Sequence, residues 1–492
     1  MKRILLFLTI LGSIFMLSAC KNRTYDPIEL VSIEEIKSME RINISFMIPF
    51  GQDIENVIRD MIADFNEEYP NIRVKIEVVG GYDTLLKEMR IKVAGKNPPT
   101  LAIAYPDHVA EYLRADAVLP LTPYIKSDLE GVGYTEEELA DFFEEYMFEN
   151  RSFDDKGTYY SLPFNKSTEV LIYNKDFFDA FKDEISVPRT WQEAEEVSKK
   201  IWEIILSGRA DNLYDGLKLT EHLKDKNFVP FAYDSNGNLF ITATRQWGGK
   251  YTERIDNSTG ELLFMENDKS VEAFKYLHDL ARYTDPVTGK EMPLFQIPEY
   301  WAERYSSNPF KNLQTMFTIG STAGIRHHVG ADSKVRTLGV APVVYRDEDH
   351  KYVIQQGSNI MISKRGNKYE RMAAWLLIKH FLKPENTAKF SIETAYFPVR
   401  KSALQLPEYQ EFLNTPTIEQ EIHSQTAKVG IAYRELGFEM FVDPAWAGSA
   451  EVRKQVDLAV VSIFSGSKVR SKDDIRQIIK TAYDKALKEI SR

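Results

Sequence analysis

The chain has a single cysteine, Cys20, so an intrachain disulfide and a cysteine-built zinc site are both excluded. It has no excess of positive charge: 62 Lys and Arg stand against 73 Asp and Glu, a net of −11. A nonspecific nucleic-acid surface works by displacing counterions with clustered cations, and this balance argues against one. The eight histidines show no metal-ligand spacing. His327 and His328 are adjacent, which on a helix points them about 100° apart. There is no phosphate-cradling glycine loop and no dinucleotide fingerprint. Gly320-Ser321-Thr322-Ala323-Gly324 has the outline of a nucleophile elbow, but its central residue is threonine. Internal repeats and low-complexity tracts are missing too, and after residue 20 no apolar run is long enough to span a bilayer. The expectation is therefore no catalytic residue, no metal and no cofactor.

What is present is a large core: 492 residues, 43% of them hydrophobic. At roughly 100 to 200 residues per domain, that length allows two to four domains. The amino terminus is a processing signal. Met1-Lys2-Arg3 precedes an apolar stretch from Ile4 to Leu17, too short for the roughly 20 residues a membrane-spanning helix needs. Leu17-Ser18-Ala19-Cys20 has the pattern of a bacterial lipobox. The expected mature chain starts at an acylated Cys20, anchored in the membrane by acyl chains such as palmitate. Residues 1–19 are then a lipoprotein signal peptide and residues 20–40 a polar tether.

The body opens with two alternating segments around an amphipathic one. Ile42, Ile44 and Phe46 alternate as a strand, Ile54, Val57, Ile58, Met61, Ile62 and Phe65 recur at helical spacing, and Ile72, Val74, Ile76 and Val78 alternate again. This β-α-β pattern predicts a parallel pair with a right-handed crossover. A helix carrying Leu85, Leu86, Met89 and Val93 and a strand over Thr100 to Tyr105 follow, so the first third reads as an α/β sheet domain. Residues 190 to 310 are richer in helix, with Thr190 and Glu193 spaced as a capping box. Alternation returns at Val335 to Val344 and Tyr352 to Ile362. Helical patterns begin again at Tyr369 and run from Val452 to Leu487.

Six segments in series resemble the extracellular solute-binding proteins of ABC importers, the large family of maltose-binding and glycerol-3-phosphate-binding proteins. They are Phe65 to Ile72, Leu162 to Asp176, Pro188 to Glu193, Met316 to Gly324, Gln356 to Asn359, and Thr394 to Val399. The resemblance implies an α/β fold of the periplasmic-binding-protein-like class II, two α/β lobes joined by hinge strands with a ligand cleft between. It implies lobe 1 at 41–167 and 315–363, and lobe 2 at 168–314 and 364–492. Hinge crossings are expected near Ser167 to Tyr173, Leu313 to Phe317, and Ile362 to Lys364.

The same resemblance implies the binding residues. Tyr82, after Gly80-Gly81, is either a cleft aromatic or packed on the sheet. Tyr105 and Asp107 end a strand, where Asp107 accepts from ligand hydroxyls or caps a helix. Ser167 and Ser321 match hydroxyl positions of the family, Gly357 allows close backbone approach, and Tyr396 matches a family aromatic. Asp234 and Trp247 are second-lobe candidates, and Trp446 is a further stacking candidate. Two departures weigh against a phosphate ester: Pro106 stands where glycerol-3-phosphate binders have glutamate, and Val442 to Gly448 lacks their arginine. Arg326 and Arg434 are the substitutes the sequence offers. The implied function is a monomeric, lipid-anchored, extracytoplasmic subunit that binds a carbohydrate or polyol without chemistry and delivers it to the permease subunits. The alternative ligand is glycerol 3-phosphate or a glycerophosphodiester. A surface glycoside hydrolase is the alternative of another class, since its two carboxylates need not be close in sequence.

Overall fold

The computed structural model describes residues 28–224, 226–256 and 258–491. The expected signal peptide, Cys20 and the start of the tether lie outside the described residues. Twelve strands lie among those described: β1 (Ile42–Ile48), β2 (Ile72–Val78), β3 (Leu101–Ala104), β4 (Leu162–Asn174), β5 (Phe231–Tyr233), β6 (Thr252–Arg254), β7 (Gly260–Leu262), β8 (Phe295–Gln296), β9 (Phe317–Ser321), β10 (Leu338–Ala341), β11 (Tyr352–Ile362) and β12 (Glu439–Phe441). Ten form one sheet running β2-β1-β3-β11-β4-β9-β5-β8, with β10 also on β4 and β12 on β11; β6 and β7 make a separate hairpin.

The opening β-α-β unit forms as its periodicity predicts. β1 pairs parallel with β2, with Ile42 opposite Ile72. Helix Gln52–Glu68 buries Ile54, Val57, Ile58, Met61, Ile62 and Phe65 on one face. Thr190 caps helix Trp191–Leu206 by accepting from the Glu193 amide at 3.1 Å. Glu193 accepts from the Arg189 amide at 2.7 Å, one residue short of closing the expected box.

Two long strands carry the chain between two cores. β4 pairs antiparallel with β11 over Leu162 to Thr168, then with β9 over Glu169 to Tyr173 and β10 over Leu171 to Asn174. Its first part belongs to a core built on β1, β2, β3 and helices Gln52–Glu68 and Lys368–Phe381. From Val170 onward it belongs to a second core that contains β5, β9 and the carboxyl-terminal helices Ser449–Phe464 and Lys472–Ile490.

The division between lobes differs from the expected segments in two places. β9 lies wholly in lobe 2, where Phe317 stacks on Phe231 of β5 at 4.5 Å. The chain returns to lobe 1 only along β11, whose Asn359 to Ile362 pair with β3. It then stays there: Trp375 of helix Lys368–Phe381 packs on Tyr124 and donates to the Val132 carbonyl at 2.9 Å. A helix with Met372 to Ile378 buried throughout needs a sheet face to cover, and lobe 1 supplies it. The last crossing is helix Glu421–Glu435. Phe397 of lobe 1 lies against its Gly430, and its Tyr433 hydroxyl donates to the Glu169 carbonyl at 2.6 Å.

The tether expectation is corrected at its far end. Residues 33–38 form a helix with a capping box from Ser32, and Val31 and Ile36 are buried in lobe 1. Asn71 fixes this segment by donating to the Ile36 and Met39 carbonyls at 2.7 and 2.9 Å. No helix among the described residues is long and apolar enough to cross a membrane.

Candidate functional site

The end of β3, the middle stretches of β4 and β11 and the starts of the helices that follow β2 and β3 meet at the site. Gly81, at φ +103°, turns the chain into helix Tyr82–Ala94 and places Tyr82 at its first position. The Tyr82 hydroxyl lies 3.1 Å from Ser358 Oγ and accepts from Asn165 Nδ2 at 3.1 Å, so it is tied to both hinge strands. Ser358 Oγ in turn donates to Asn165 Oδ1 at 2.6 Å. Tyr105, which follows β3, packs its ring 4.3 Å from that of Tyr82, and Phe50 bridges Tyr82 and Tyr396 at 6.2 and 6.3 Å. Three of the expected aromatics thus form one wall of lobe 1. Burial raises the pKa of all three phenols, so they remain hydroxyls at physiological pH.

Gly357 lies where β11 bulges beside β4. It has φ +94°, and a Cβ there would stand 1.9 Å from the Asn165 carbonyl oxygen, so only glycine fits. Beneath it is a buried ion pair. Lys166 Nζ contacts Glu149 and lies 3.5 Å from the Gly357 carbonyl, while Gln355 donates to the other Glu149 oxygen at 2.7 Å. The two charged side chains are 0% and 4% exposed. Burial pulls the Lys166 pKa down against the attraction of Glu149. Ser167 sits opposite Gln356 and is buried; the next pair is Thr168 with Gln355, and the Thr168 hydroxyl donates to the Ile354 carbonyl at 2.8 Å.

The facing wall belongs to lobe 2. Arg453, on helix Ser449–Phe464, donates to Asn238 Oδ1 and lies 3.6 Å from Asp443. Asn238 Nδ2 donates to Glu169 at 2.7 Å, and Glu169 also accepts from Tyr233. Arg453 interacts electrostatically with Tyr105 and Asp107 of lobe 1 and with Tyr251 of lobe 2. Asp107 is the second residue of helix Pro106–Arg114 rather than its cap, which is Tyr105; its carboxylate accepts from the His108 amide at 2.9 Å. Burial pushes Glu169 up to about 7 and Asp234 up to about 6.

Several sequence candidates lie elsewhere. Asp234 follows β5, but its carboxylate is engaged by the Ser306 amide at 2.6 Å and by the Ser306 hydroxyl. Ser321 ends β9 opposite Glu169 and begins the turn Thr322–His328. Trp247 is displaced from the cleft. It follows helix Asn236–Gln246, whose first residue bonds Glu299 and whose length of about 16 Å carries Trp247 to the far side of lobe 2. There it packs on Trp191, Tyr276 and Arg346. Trp446 is 1% exposed and lies in the lobe 2 core, flat against Gly260, where any Cβ would meet its ring. It is a packing residue, not a stacking platform. Arg434 pairs with Glu145 and lies over Phe143. Arg326 has its Nε buried and unpartnered among the described residues. Arg453 and Tyr251 escape sequence reading. The available signal is that Arg453 and Asp457, four apart, border the buried stripe of Val452, Val456 and Val460.

Bonds between the lobes close the cleft around these residues. Arg254 donates to the Phe153 carbonyl at 3.3 Å and lies 3.8 Å from Asp155. Arg304 lies 3.9 Å from Asp83, and the Gly448 amide donates to Glu111 at 3.1 Å.

Two α/β lobes, crossed by two long strands and a helix and closed over a polar and aromatic cleft, define a class II binding protein. The chain belongs to the bacterial extracellular solute-binding protein family, whose sequence profile matches residues 60–417. It is 25% identical over 382 residues to the sn-glycerol-3-phosphate-binding periplasmic protein UgpB of Shigella flexneri, covering 74% of this chain and 77% of that one. The UgpB of Escherichia coli K12 is 24% identical over 381 residues, with the same coverage. Among solved structures it is similar to UgpB of Mycobacterium tuberculosis in complex with glycerophosphocholine, with TM-score 0.67, 15% identity, and coverage of 91% and 98%. It is also similar to the GacH receptor of Streptomyces glaucescens, solved unliganded and with acarbose, with TM-score 0.65, 16% identity and the same coverage. These likenesses establish the fold, and the family makes the chain a solute-binding protein of an ABC importer.

Proposed function

We propose that this protein is the lipid-anchored binding subunit of its importer, capturing a carbohydrate or polyol as a monomer without chemistry and presenting it to the permease. The observation that carries the ligand class is the wall of Tyr82, Tyr105 and Tyr396 beside Asp107. Aromatic faces cover the apolar faces of a sugar ring, and carboxylates accept from its hydroxyls. Ligand held between this wall and Arg453 favours the closed arrangement, as differential affinity for one of two states requires. Cys20, within its lipobox, supplies the anchor.

A thermal melt against mono- and oligosaccharides, polyols, glycerol 3-phosphate and glycerophosphodiesters tests the ligand class. Stabilisation by at least one neutral sugar or polyol is expected, and a shift produced by phosphate esters alone would refute it. Membrane fractionation of Cys20→Ser against the parent tests the anchor: release of the variant is expected, and equal retention refutes it. A second reading, a glycerol-phosphate ligand, is favoured by the buried, unpartnered Nε of Arg326, by Arg453, and by what the UgpB relatives are named for.

A further inference from the structure

Lobe 2 reaches lobe 1 with one short turn, residues 442–448, which joins β12 to helix Ser449–Phe464. Its residues serve different lobes. Ala445 is buried in an apolar cluster of lobe 1 that contains Met47, Leu85, Tyr112 and Phe153. The next residue, Trp446, is buried in the core of lobe 2. Gly448 ends the turn at φ +113°, where a Cβ would stand 2.8 Å from Ile490 and 2.9 Å from the Trp446 ring, so the position takes glycine. A glycine at the head of a helix has no side chain to cap it with, and this helix has no side-chain cap of its own. Lobe 1 supplies one. Glu111, on helix Pro106–Arg114, accepts from the Gly448 amide at 3.1 Å. Its side chain is 15% exposed and is steadied by Arg90, 3.3 Å away. A carboxylate at the amino end of a helix also meets the positive end of the helix dipole.

We infer that the turn from Ala445 to Gly448 is an inter-lobe latch, which holds a fraction of the molecules closed before ligand arrives. Every contact in it is made between protein atoms. Opening the lobes exposes Ala445 and the cluster it fills, and it hands the Gly448 amide and Glu111 back to water. A second grip moves with the first. Trp446 lies flat against Gly260 of β7, and Arg254, the register partner of Gly260 on β6, donates to the Phe153 carbonyl at 3.3 Å. The buried Trp446 thus joins both contacts to one packed body of lobe 2, so they form and break together. The consequence for binding does not depend on which solute the cleft takes. Apparent affinity scales with the fraction of molecules already competent to bind, and the latch raises that fraction. Glu111 is therefore a positioning residue: it touches the helix end and not the ligand.

Single-molecule energy transfer tests the latch without any ligand. Dyes are placed on Glu67→Cys in lobe 1 and Lys250→Cys in lobe 2, both exposed positions, in the full chain carrying Cys20→Ser. The closed fraction is the population at the separation found in this arrangement. Glu111→Ala removes the cap, and the ratio of open to closed molecules is expected to rise about fivefold. Glu111→Gln keeps an acceptor but loses the charge, and a rise of about twofold is expected. Ala445→Glu drives a charge into the lobe 1 cluster and should raise the ratio more than about tenfold. Arg304→Ala, which removes an exposed inter-lobe pair, is the control and should match the parent at about 0.5 M salt. A role confined to the stability of one lobe would lower the melting temperature and leave the ratio alone. The inference is overturned if the parent has no closed fraction, or if Glu111→Ala changes the ratio by less than about twofold.

Discussion

Lys166 offers the sharpest test of how the hinge is held. Its ammonium and the Glu149 carboxylate are buried together beside Gly357, with Gln355 on the second carboxylate oxygen. Lys166→Met removes one charge and leaves Glu149 buried against a single amide donor. Removing one partner of a buried pair costs about 3–5 kcal/mol, because the remaining ion has lost its compensation. At about 2–4 °C per kcal/mol for a unit of 150–250 residues, the apparent melting temperature should fall by about 6–20 °C. The double replacement Lys166→Met, Glu149→Leu removes both charges at nearly constant volume and should recover most of that loss, since apolar substitution of a buried pair is often neutral or stabilising. Urea denaturation of parent, single and double variants provides the assay, with an unchanged m-value showing that stability alone has moved. A single variant within about 1 kcal/mol of the parent would refute the reasoning, because the pair could not then be desolvated.

Three further outcomes follow from other parts of the hinge and cleft. Glu169 has a folded pKa raised to about 7 from 4.5, so the folded state binds its proton more tightly than the unfolded chain does. The resulting stabilisation, on the order of 3 kcal/mol, is complete below about pH 4.5 and is lost as pH rises through 7. Glu169→Gln should flatten the melting temperature between pH 5 and pH 8 relative to the parent, and an unchanged slope would assign the pH dependence to other groups. Gly357→Ala combines φ +94° with a Cβ 1.9 Å from a carbonyl oxygen; it should cost about 3 kcal/mol or more in the urea midpoint, and a near-neutral effect would show that the bulge can rearrange. Arg304→Ala removes an exposed pair worth about 0.2–1 kcal/mol, so ligand affinity at low salt should fall less than about fivefold, with parent and variant converging at 0.5 M salt. A loss that persists at high salt would mean the pair is not screened as its exposure requires.

The first lobe was legible because its elements are local. Ile42, Ile44 and Phe46 alternate over a short span, and the following helix repeats at three and four, so period alone reveals the β-α-β unit. The lobe boundary was not legible in the same way. Phe317 and Ile319 alternate like any buried strand, and nothing nearby specifies that their partner is Phe231 rather than β3. The two tryptophans failed as site markers for a related reason. Trp446 and Trp247 are large and apolar, and the core used both, whereas Tyr82 and Tyr105 carry hydroxyls on short helix-start positions at the cleft. Arg453 was hidden because a charged residue beside an apolar stripe usually lies on a solvated helix face. Only the three-dimensional path of helix Ser449–Phe464 brings it toward Asp107.

The helix Glu421–Glu435 that straps the hinge also orders the chain in time. Lobe 1 needs Trp375 and Val399, and lobe 2 needs Ile475, Ile479 and Ala486, so both cores draw on the last quarter of the sequence. As the polypeptide is synthesised from its amino end, lobe 1 cannot be completed until about residue 399 has emerged and lobe 2 until about residue 486, and the contacts that complete them span hundreds of residues. Long-range closure of this kind is slow to form. A chain of an extracellular family, which has to reach the far side of a membrane, thereby stays loose through most of its synthesis and gains its clamp only when its final helices arrive.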